Sequence, residues 1–268
     1  MKQTAYAKIN LALHVRRRQG DGYHAIETLF AFVDAGDRLT ARAAPRDELQ
    51  VVGEFAGQLT DPFGNIVGKA LAALPRPDGL AITLEKNLPV AAGLGGGSAD
   101  AGAVFRLVRA AHGLPEDWRE RAARLGADVP ACVDSVACIG RGTGTALAPV
   151  ANDLAGAGVL LVNPRVPLAT AAVFAAWDGV DRGPLPEGPT SAIAREGRND
   201  LEAPAIALCP AIAEVLAELR GSEADLVRMS GSGATCFALF RRHDVMRQAA
   251  ESLASRRPEW WQLRGNLR

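Results

Sequence analysis

A chain of 268 residues is long enough for one large domain or two of ordinary size. Its 48% hydrophobic and 22% charged residues describe an ordinary globular protein. Thirty basic and thirty acidic residues cancel, so no global field favours nucleic acid or an acidic membrane, and no apolar run reaches the length of a membrane span. The start Met1-Lys2-Gln3-Thr4 carries no signal-peptide hydrophobic region, which makes the cytoplasm the expected compartment. Cys132, Cys138, Cys209 and Cys236 show neither C-x-x-C nor zinc spacing and read as buried small hydrophobes.

In chain order, residues 3–15 and 25–33 alternate and then run apolar around the turn-rich Arg16–Gly22, which predicts a β-hairpin with a long tip. Strands are expected at Leu49–Val52 and Leu80–Leu84 with a helix from Asn65 to Leu74 between them. Next comes Pro89-Val90-Ala91-Ala92-Gly93-Leu94-Gly95-Gly96-Gly97-Ser98-Ala99-Asp100, followed by apolar residues at helical spacing up to the stop at His112-Gly113. A helix from Pro115 to Leu125 and strands at Val136–Ile139 and Thr145–Leu147 complete a mixed α/β half. Pro149–Gly158 reads as the domain boundary. Beyond it a strand at Val159–Val162, a helix at Ala169–Trp177, a long helix from Leu201 to Leu219 broken or bent by Pro204 and Pro210, strands at Leu226–Met229 and Thr235–Leu239, a helix at His243–Ala254 and a strand at Trp260–Leu263 suggest a two-layer α+β domain.

The glycine stretch is the chemical signal. A helix that begins in glycines exposes unpaired N–H groups at the positive end of its dipole, and without side chains at Gly95, Gly96 and Gly97 a phosphate can come close; the bland alternative is a flexible turn. It is not a Walker A loop, because no Lys follows the glycines, and Ser98 stands where a dinucleotide fingerprint requires Gly. A protein-kinase set is missing too, since Asp61-Pro62-Phe63-Gly64 is not D-F-G. Other polar residues carry two readings each. Lys8 lies in an apolar strand, where it needs a partner or an edge position; Asp128 follows a helix stop, where a cap or turn is the ordinary role; Tyr23-His24 suits a turn aromatic packed on the hairpin. Arg16-Arg17-Arg18 reads as a solvated turn, and Gly231-Ser232-Gly233 as either a structural hairpin or a turn near phosphate.

The pattern P-x-x-x-G-L-G-G-G-S-A-D over residues 89–100 resembles the second motif of the GHMP kinases, small-molecule ATP kinases, with Ala99 where the commonest form has a second Ser. Ala7-Lys8-Ile9-Asn10-Leu11, Asp21-Gly22-Tyr23-His24, Gly126-Ala127-Asp128-Val129-Pro130, Asn199-Asp200-Leu201-Glu202 and Met229–Cys236 are similar to the branch that acts on a cytidine-diphosphate-linked methylerythritol in non-mevalonate isoprenoid synthesis. After Gly140 the family's G-x-G-E-like pattern is replaced by Gly142-Thr143-Gly144-Thr145. The resemblance implies an α+β, two-domain GHMP kinase fold. Residues 1–152 would form a ribosomal protein S5 domain 2-like N-terminal domain with the ATP loop and catalytic residues, and residues 153–268 a ferredoxin-like two-layer C-terminal sandwich. It also implies ATP as phosphoryl donor, Mg²⁺ to neutralise the triphosphate, and transfer to the free 2-hydroxyl of the acceptor. Asp128 then matches the general base and Lys8 its cationic partner. Pro89, Val90, Ala91, Ala92, Gly93, Leu94, Gly95, Gly96, Gly97, Ser98 and Ala99 match the phosphate loop. Asn10, Tyr23, His24 and Phe174 match the cytosine contacts, and Lys86-Asn87 falls near the adenine or ribose. The expected partner is a small-molecule substrate, with no nucleic acid and no membrane, and the protein is expected to be a monomer or weak homodimer. The rival within the family is a kinase of a smaller alcohol such as homoserine or a mevalonate derivative; outside it, a nucleotide sensor without catalysis, which has no need of a base.

Overall fold

The computed structural model describes residues 1–20, 22–59 and 64–268; Asp21, Thr60, Asp61, Pro62 and Phe63 lie outside them. Two long strands, β1 (Lys2–Arg18) and β2 (His24–Ala44), form the expected hairpin pair and run through two compact units. Unit 1 comprises Met1–Lys8, Ala35–Val90 and Gly95–Ser135; unit 2 comprises Ile9–Asp34, Ala91–Leu94 and Val136–Arg268. These units are not contiguous in sequence.

In unit 1, β4 (Gly79–Glu85) pairs antiparallel with the Arg38–Ala44 end of β2 and parallel with β3 (Glu48–Val52). Leu80, Ile82 and Leu84 alternate inward, as a half-buried strand requires. β2 extends past the predicted end at residue 33 because Leu39 and Ala41 continue the alternation against exposed Arg38, Thr40 and Arg42. Helix α1 (Ile66–Ala73) is capped by Asn65, whose side chain accepts from Val67 N at 2.9 Å. Helix α2 (Gly96–His112) packs against α1 and α4 (Val129–Asp134), and α3 (Trp118–Leu125) packs against α4. α2 is sealed on most sides, burying Ala101, Ala103, Val104, Phe105, Leu107 and Val108. At six residues, α4 is too short to show a period, which is why the sequence did not reveal it.

In unit 2, β5 (Cys138–Gly142) pairs with Ile26–Phe30 of β2, and β6 (Ala146–Pro149) pairs with β5. β5 begins two residues after the predicted Val136, which is exposed. A four-stranded antiparallel sheet has the order β10-β7-β9-β8, formed by β7 (Gly158–Asn163), β8 (Leu226–Met229), β9 (Cys236–Phe240) and β10 (Trp261–Asn266). The central β7 and β9 are buried along their whole length. Helices α5 (Thr170–Ala175), α6 (Thr190–Glu196), α7 (Glu202–Leu208), α8 (Ala211–Arg220) and α9 (His243–Arg256) accompany it. α8 lays Ile212, Val215, Leu216 and Leu219 into the core with Leu160, Val162 and Phe240. The predicted helix 201–219 is in fact two. Pro204 sits in the first turn of α7, where its missing N–H has no intrahelical partner to lose, whereas Pro210 caps α8 and breaks the chain there.

Phe105 is wholly buried at the centre of unit 1. Phe105→Ala is expected to cost about 3–5 kcal/mol of stability, read as a lower denaturation midpoint in a urea titration.

Candidate functional site

α2 starts at a point the chain itself leaves unsatisfied. Its N-cap, Gly95, adopts the left-handed conformation (φ 58°), and no side chain among the described residues caps the helix. The first-turn N–H groups of Gly96, Gly97 and Ser98 are therefore offered to an anion, with the helix dipole behind them. Ala99 is different: its N–H is taken by Gly95 O at 2.8 Å and its methyl is buried. A serine hydroxyl at that position would face the core, so its loss removes no phosphate contact. Pro89, Ala92 and Leu94 are buried, Val90 and Ala91 exposed, and Val90 N donates to Gln58 at 3.3 Å.

Lys8 and Asp128 meet beside this helix start, 120 residues apart in sequence: Lys8 Nζ lies 3.0 Å from Asp128 Oδ2. Lys8 is nearly buried and Asp128 about one-third exposed (side chains 6% and 31%), so one face of the carboxylate is open. Asp128 is the N-cap residue of α4 in backbone terms, but its side chain makes no cap bond and turns to Lys8 instead. A Cβ at Gly95 would sit 2.9 Å from Lys8 Cε and 3.7 Å from Asp128 Oδ2, which places the loop against the pair. Ser98 Oγ lies 3.8 Å from the Cβ position at Gly126, beside the turn that carries Asp128. Anion donors, a cation and a partly open carboxylate thus converge in unit 1.

The Lys86 side chain is buried, with Nζ 2.5 Å from Asp37 Oδ2 and 2.8 Å from Asp100 Oδ2. Asp37 and Asp100, neither singled out by sequence reasoning, are its partners.

Unit 2 holds the first half of the loop and the aromatic cluster. Ser230 Oγ donates to Gly93 O at 2.8 Å, Asn10 N donates to Ser230 Oγ at 3.3 Å, and a Cβ at Gly93 (φ 76°) would run into the Ser230–Gly233 backbone. The Gly231-Ser232-Gly233 turn therefore braces residues 91–94. Asn10 is buried, and its amide donates to Thr28 Oγ1 at 2.7 Å. His24 stacks on Phe174 with ring centroids 5.0 Å apart and meets Trp177 edge-on at 5.8 Å. His24 Nε2 and Trp177 Nε1 are buried with no hydrogen-bond partner among the described residues. Tyr23 is largely exposed and closes the hairpin tip, its carbonyl accepting from Gln19 N at 2.7 Å. Trp177 was missed by the sequence reading, where it fell at the end of the helix expected at Ala169–Trp177. Arg18 is not merely a solvated turn residue, since it donates to Ala175 O and Trp177 O at 3.1 and 2.5 Å. Among the described residues no cluster of three or more His, Cys, Asp or Glu could hold a metal ion, and no helix is long and apolar enough to cross a membrane.

The GHMP kinases N terminal domain family matches residues 65–139, and the GHMP kinases C terminal family matches residues 189–259. A 4-diphosphocytidyl-2-C-methyl-D-erythritol kinase of Novosphingobium aromaticivorans is 67% identical over 268 residues, covering 100% of this chain and 93% of the relative. The enzyme of that name from Erythrobacter litoralis is 62% identical over 99% of this chain and 98% of the relative. Among solved structures, a 4-(cytidine 5'-diphospho)-2C-methyl-D-erythritol kinase superposes with a TM-score of 0.83 at 36% identity, covering 100% of this chain and 99% of the other. The Methanococcus jannaschii mevalonate kinase, at 11% identity and TM-score 0.65 over 100% of this chain and 98% of the other, shares the fold.

Burial first, and then the Arg18 charge, hold the His24 imidazole below its usual value. A folded-state value below the unfolded one means that His24 favours the fold above the unfolded value and disfavours it progressively as pH falls through that range. Arg18→Ala is expected to move the His24 midpoint upward in an NMR titration of its ring protons.

Proposed function

Because the chain belongs to the 4-diphosphocytidyl-2-C-methyl-D-erythritol kinase family of the GHMP kinases, we propose that the two constellations above are the phosphoryl-transfer and base-recognition parts of that activity. The chain is an ATP-dependent kinase of 4-diphosphocytidyl-2-C-methyl-D-erythritol. The observation that carries the assignment of residues is the Lys8–Asp128 pair lying against the uncapped start of α2.

In the proposed mechanism the N–H groups of Gly96, Gly97 and Ser98 hold the ATP phosphates. Asp128 accepts the proton of the acceptor's 2-hydroxyl as that oxygen forms its bond to the γ-phosphorus, and the bond from the γ-phosphorus to the bridging β,γ-oxygen breaks to release ADP. Lys8, 3.0 Å from Asp128, orients that carboxylate and balances the charge that spreads over the transferring group. Mg²⁺ fits this donor set, since it commonly takes one or two protein oxygens together with phosphates and water; the Ser98 hydroxyl and Asp128 are the groups that would hold it, and it would neutralise the triphosphate.

Cytosine recognition is assigned to Tyr23, Phe174, His24 and Asn10. The aromatic rings supply stacking faces, and the unpartnered His24 Nε2 is a polar atom placed for a base edge. Burial, and then the Arg18 charge, lower the pKa of that imidazole and so favour its neutral form, which can both donate and accept. A cytoplasmic monomer or weak homodimer acting on a small molecule, without nucleic acid or membrane, belongs to the same proposal, supported by the balanced charge of thirty basic and thirty acidic residues.

Asp128→Asn should lower kcat by about 10²- to 10⁴-fold with ATP affinity retained, measured as ADP release with magnesium-ATP and the cytidylated substrate. Full activity in that variant removes Asp128 as the base. Tyr23→Ala should raise KM for the cytidylated substrate about ten-fold or more while KM for ATP holds. An unchanged acceptor KM favours a smaller alcohol as the substrate.

A further inference from the structure

The two halves of the base site come from distant parts of the chain, and one of them is a helix too short to hold itself. His24 opens β2 at the hairpin tip, whereas Phe174 belongs to α5 and Trp177 follows it. α5 is six residues long, well below the length at which a helix persists in water, and buries only Val173. Its last carbonyls have no further turn to donate to them. At the start of α5, Thr170 Oγ1 lies 2.9 Å from Ser232 Oγ. At its end the donor is a side chain from the hairpin. Arg18, the last residue of β1, donates through Nη2 to Ala175 O at 3.1 Å and to Trp177 O at 2.5 Å.

The same guanidinium lies 6.0 Å from the centroid of the Trp177 ring, within cation–π range, so one group grips both the indole face and the carbonyl of that residue. Along the chain, Arg18 leads directly into the turn that presents Tyr23 and His24. Gln19, its neighbour, donates N–H to Tyr23 O at 2.7 Å and accepts from Gly22 N at 3.2 Å. The His24 ring in turn rests on Phe174 and Trp177. We propose that Arg18 is a positioning residue for the acceptor's base: its guanidinium latches the end of α5 to the hairpin and so fixes Phe174 relative to Tyr23 and His24. This rests on the reading of those three residues as the cytosine contacts.

The three consecutive arginines of the hairpin differ in what they hold. Arg17 is exposed. Arg16 bonds Asp181 at 2.9 Å and Glu27 at 2.7 Å, and Glu27 Oε2 accepts from Leu185 N at 2.9 Å. Those bonds fasten the segment beyond Trp177, whereas the Arg18 bonds fall on the end of α5 itself. An arginine that served only to attract an anionic substrate would gain nothing from bonding two main-chain carbonyls. An arginine that held the helix would make those bonds, and a cation at a helix C-terminus also suits the negative end of its dipole.

The test compares the dissociation constants of cytidine 5′-diphosphate and of uncharged cytidine for the wild type and Arg18→Ala. Both are followed by NMR titration at about pH 8.5, where His24 is neutral with or without the Arg18 charge. Removing the latch is expected to raise both constants by the same factor, about ten-fold, the loss of much of one base–aromatic stack. In turnover, KM for the cytidylated substrate should rise by that factor while kcat and KM for ATP stay within about two-fold. Arg18→Met, which keeps the apolar stem and loses the donors, should behave alike and decides the matter if Arg18→Ala does not fold. An arginine acting by charge on the phosphates would weaken cytidine 5′-diphosphate and leave cytidine unchanged, and that result overturns the proposal. So does a fall in kcat with an unchanged acceptor KM, which is what loss of folded enzyme produces. A wild type that binds neither probe sinks the base-recognition reading and the latch with it, whereas wild-type binding that survives intact in both variants strikes the latch alone.

Discussion

A helix that begins in glycine and carries no side-chain cap needs something outside its own chain to satisfy its first N–H groups and its dipole. α2 is such a helix, and it is seventeen residues long and buried along most of its surface, so its position is rigidly set. Two lysines flank its start, Lys8 near Gly95 and Lys86 near Gly96. Placing two ammonium groups beside the positive end of a dipole is unfavourable unless neighbouring carboxylates offset them. Asp128 does so for Lys8, and Asp37 with Asp100 for Lys86. What the side chains leave unmet is the set of first-turn N–H groups themselves.

The two lysines differ in what surrounds them, and that separates their roles. Lys8 is nearly buried, yet its partner Asp128 keeps one-third of its side chain exposed, so the pair is open to solvent on one side. Lys86 is enclosed by two fully buried carboxyl groups that hold it from opposite elements.

How far the sequence carries depends on whether a signal is local. The glycine run followed by a helical period is local, and α2 begins at Gly96 as the run implies. Alternation in β4 and the 212–215–216–219 stripe of α8 were likewise visible in the chain. Lys8 and Asp128 were separately ambiguous on physical grounds and gained roles only from the family resemblance; their meeting is a long-range fact of the fold. The ion pairs of Lys86 were not legible because its partners lie 49 and 14 residues away and neither carboxylate announces itself in sequence. Trp177 was hidden for the same reason, since its contact with His24 joins distant segments. Short α4 and α6 lack the length for a period, and Pro204 misled because its cost depends on its place in the helix.

The glycines of the loop have different physical reasons. Gly93 is required by unit 2, where any Cβ meets the Ser230–Gly233 backbone, and Gly95 by the Lys8 side chain together with its left-handed φ of 58°. Gly96 is tight against Lys86 at 3.2 Å. At Gly97 these packing reasons run out: the residue is exposed, its backbone is helical, and an added Cβ would meet only a methyl of Ile66, at 3.6 Å, an ordinary contact. Glycine in a helical first turn weakens the helix by roughly 0.5–1 kcal/mol relative to alanine and gains the fold nothing there. Close approach of a ligand to the backbone N–H is the remaining physical reason for a bare Cα at that position, so the residue least explained by the protein's own packing is the one that speaks most directly for a bound phosphate.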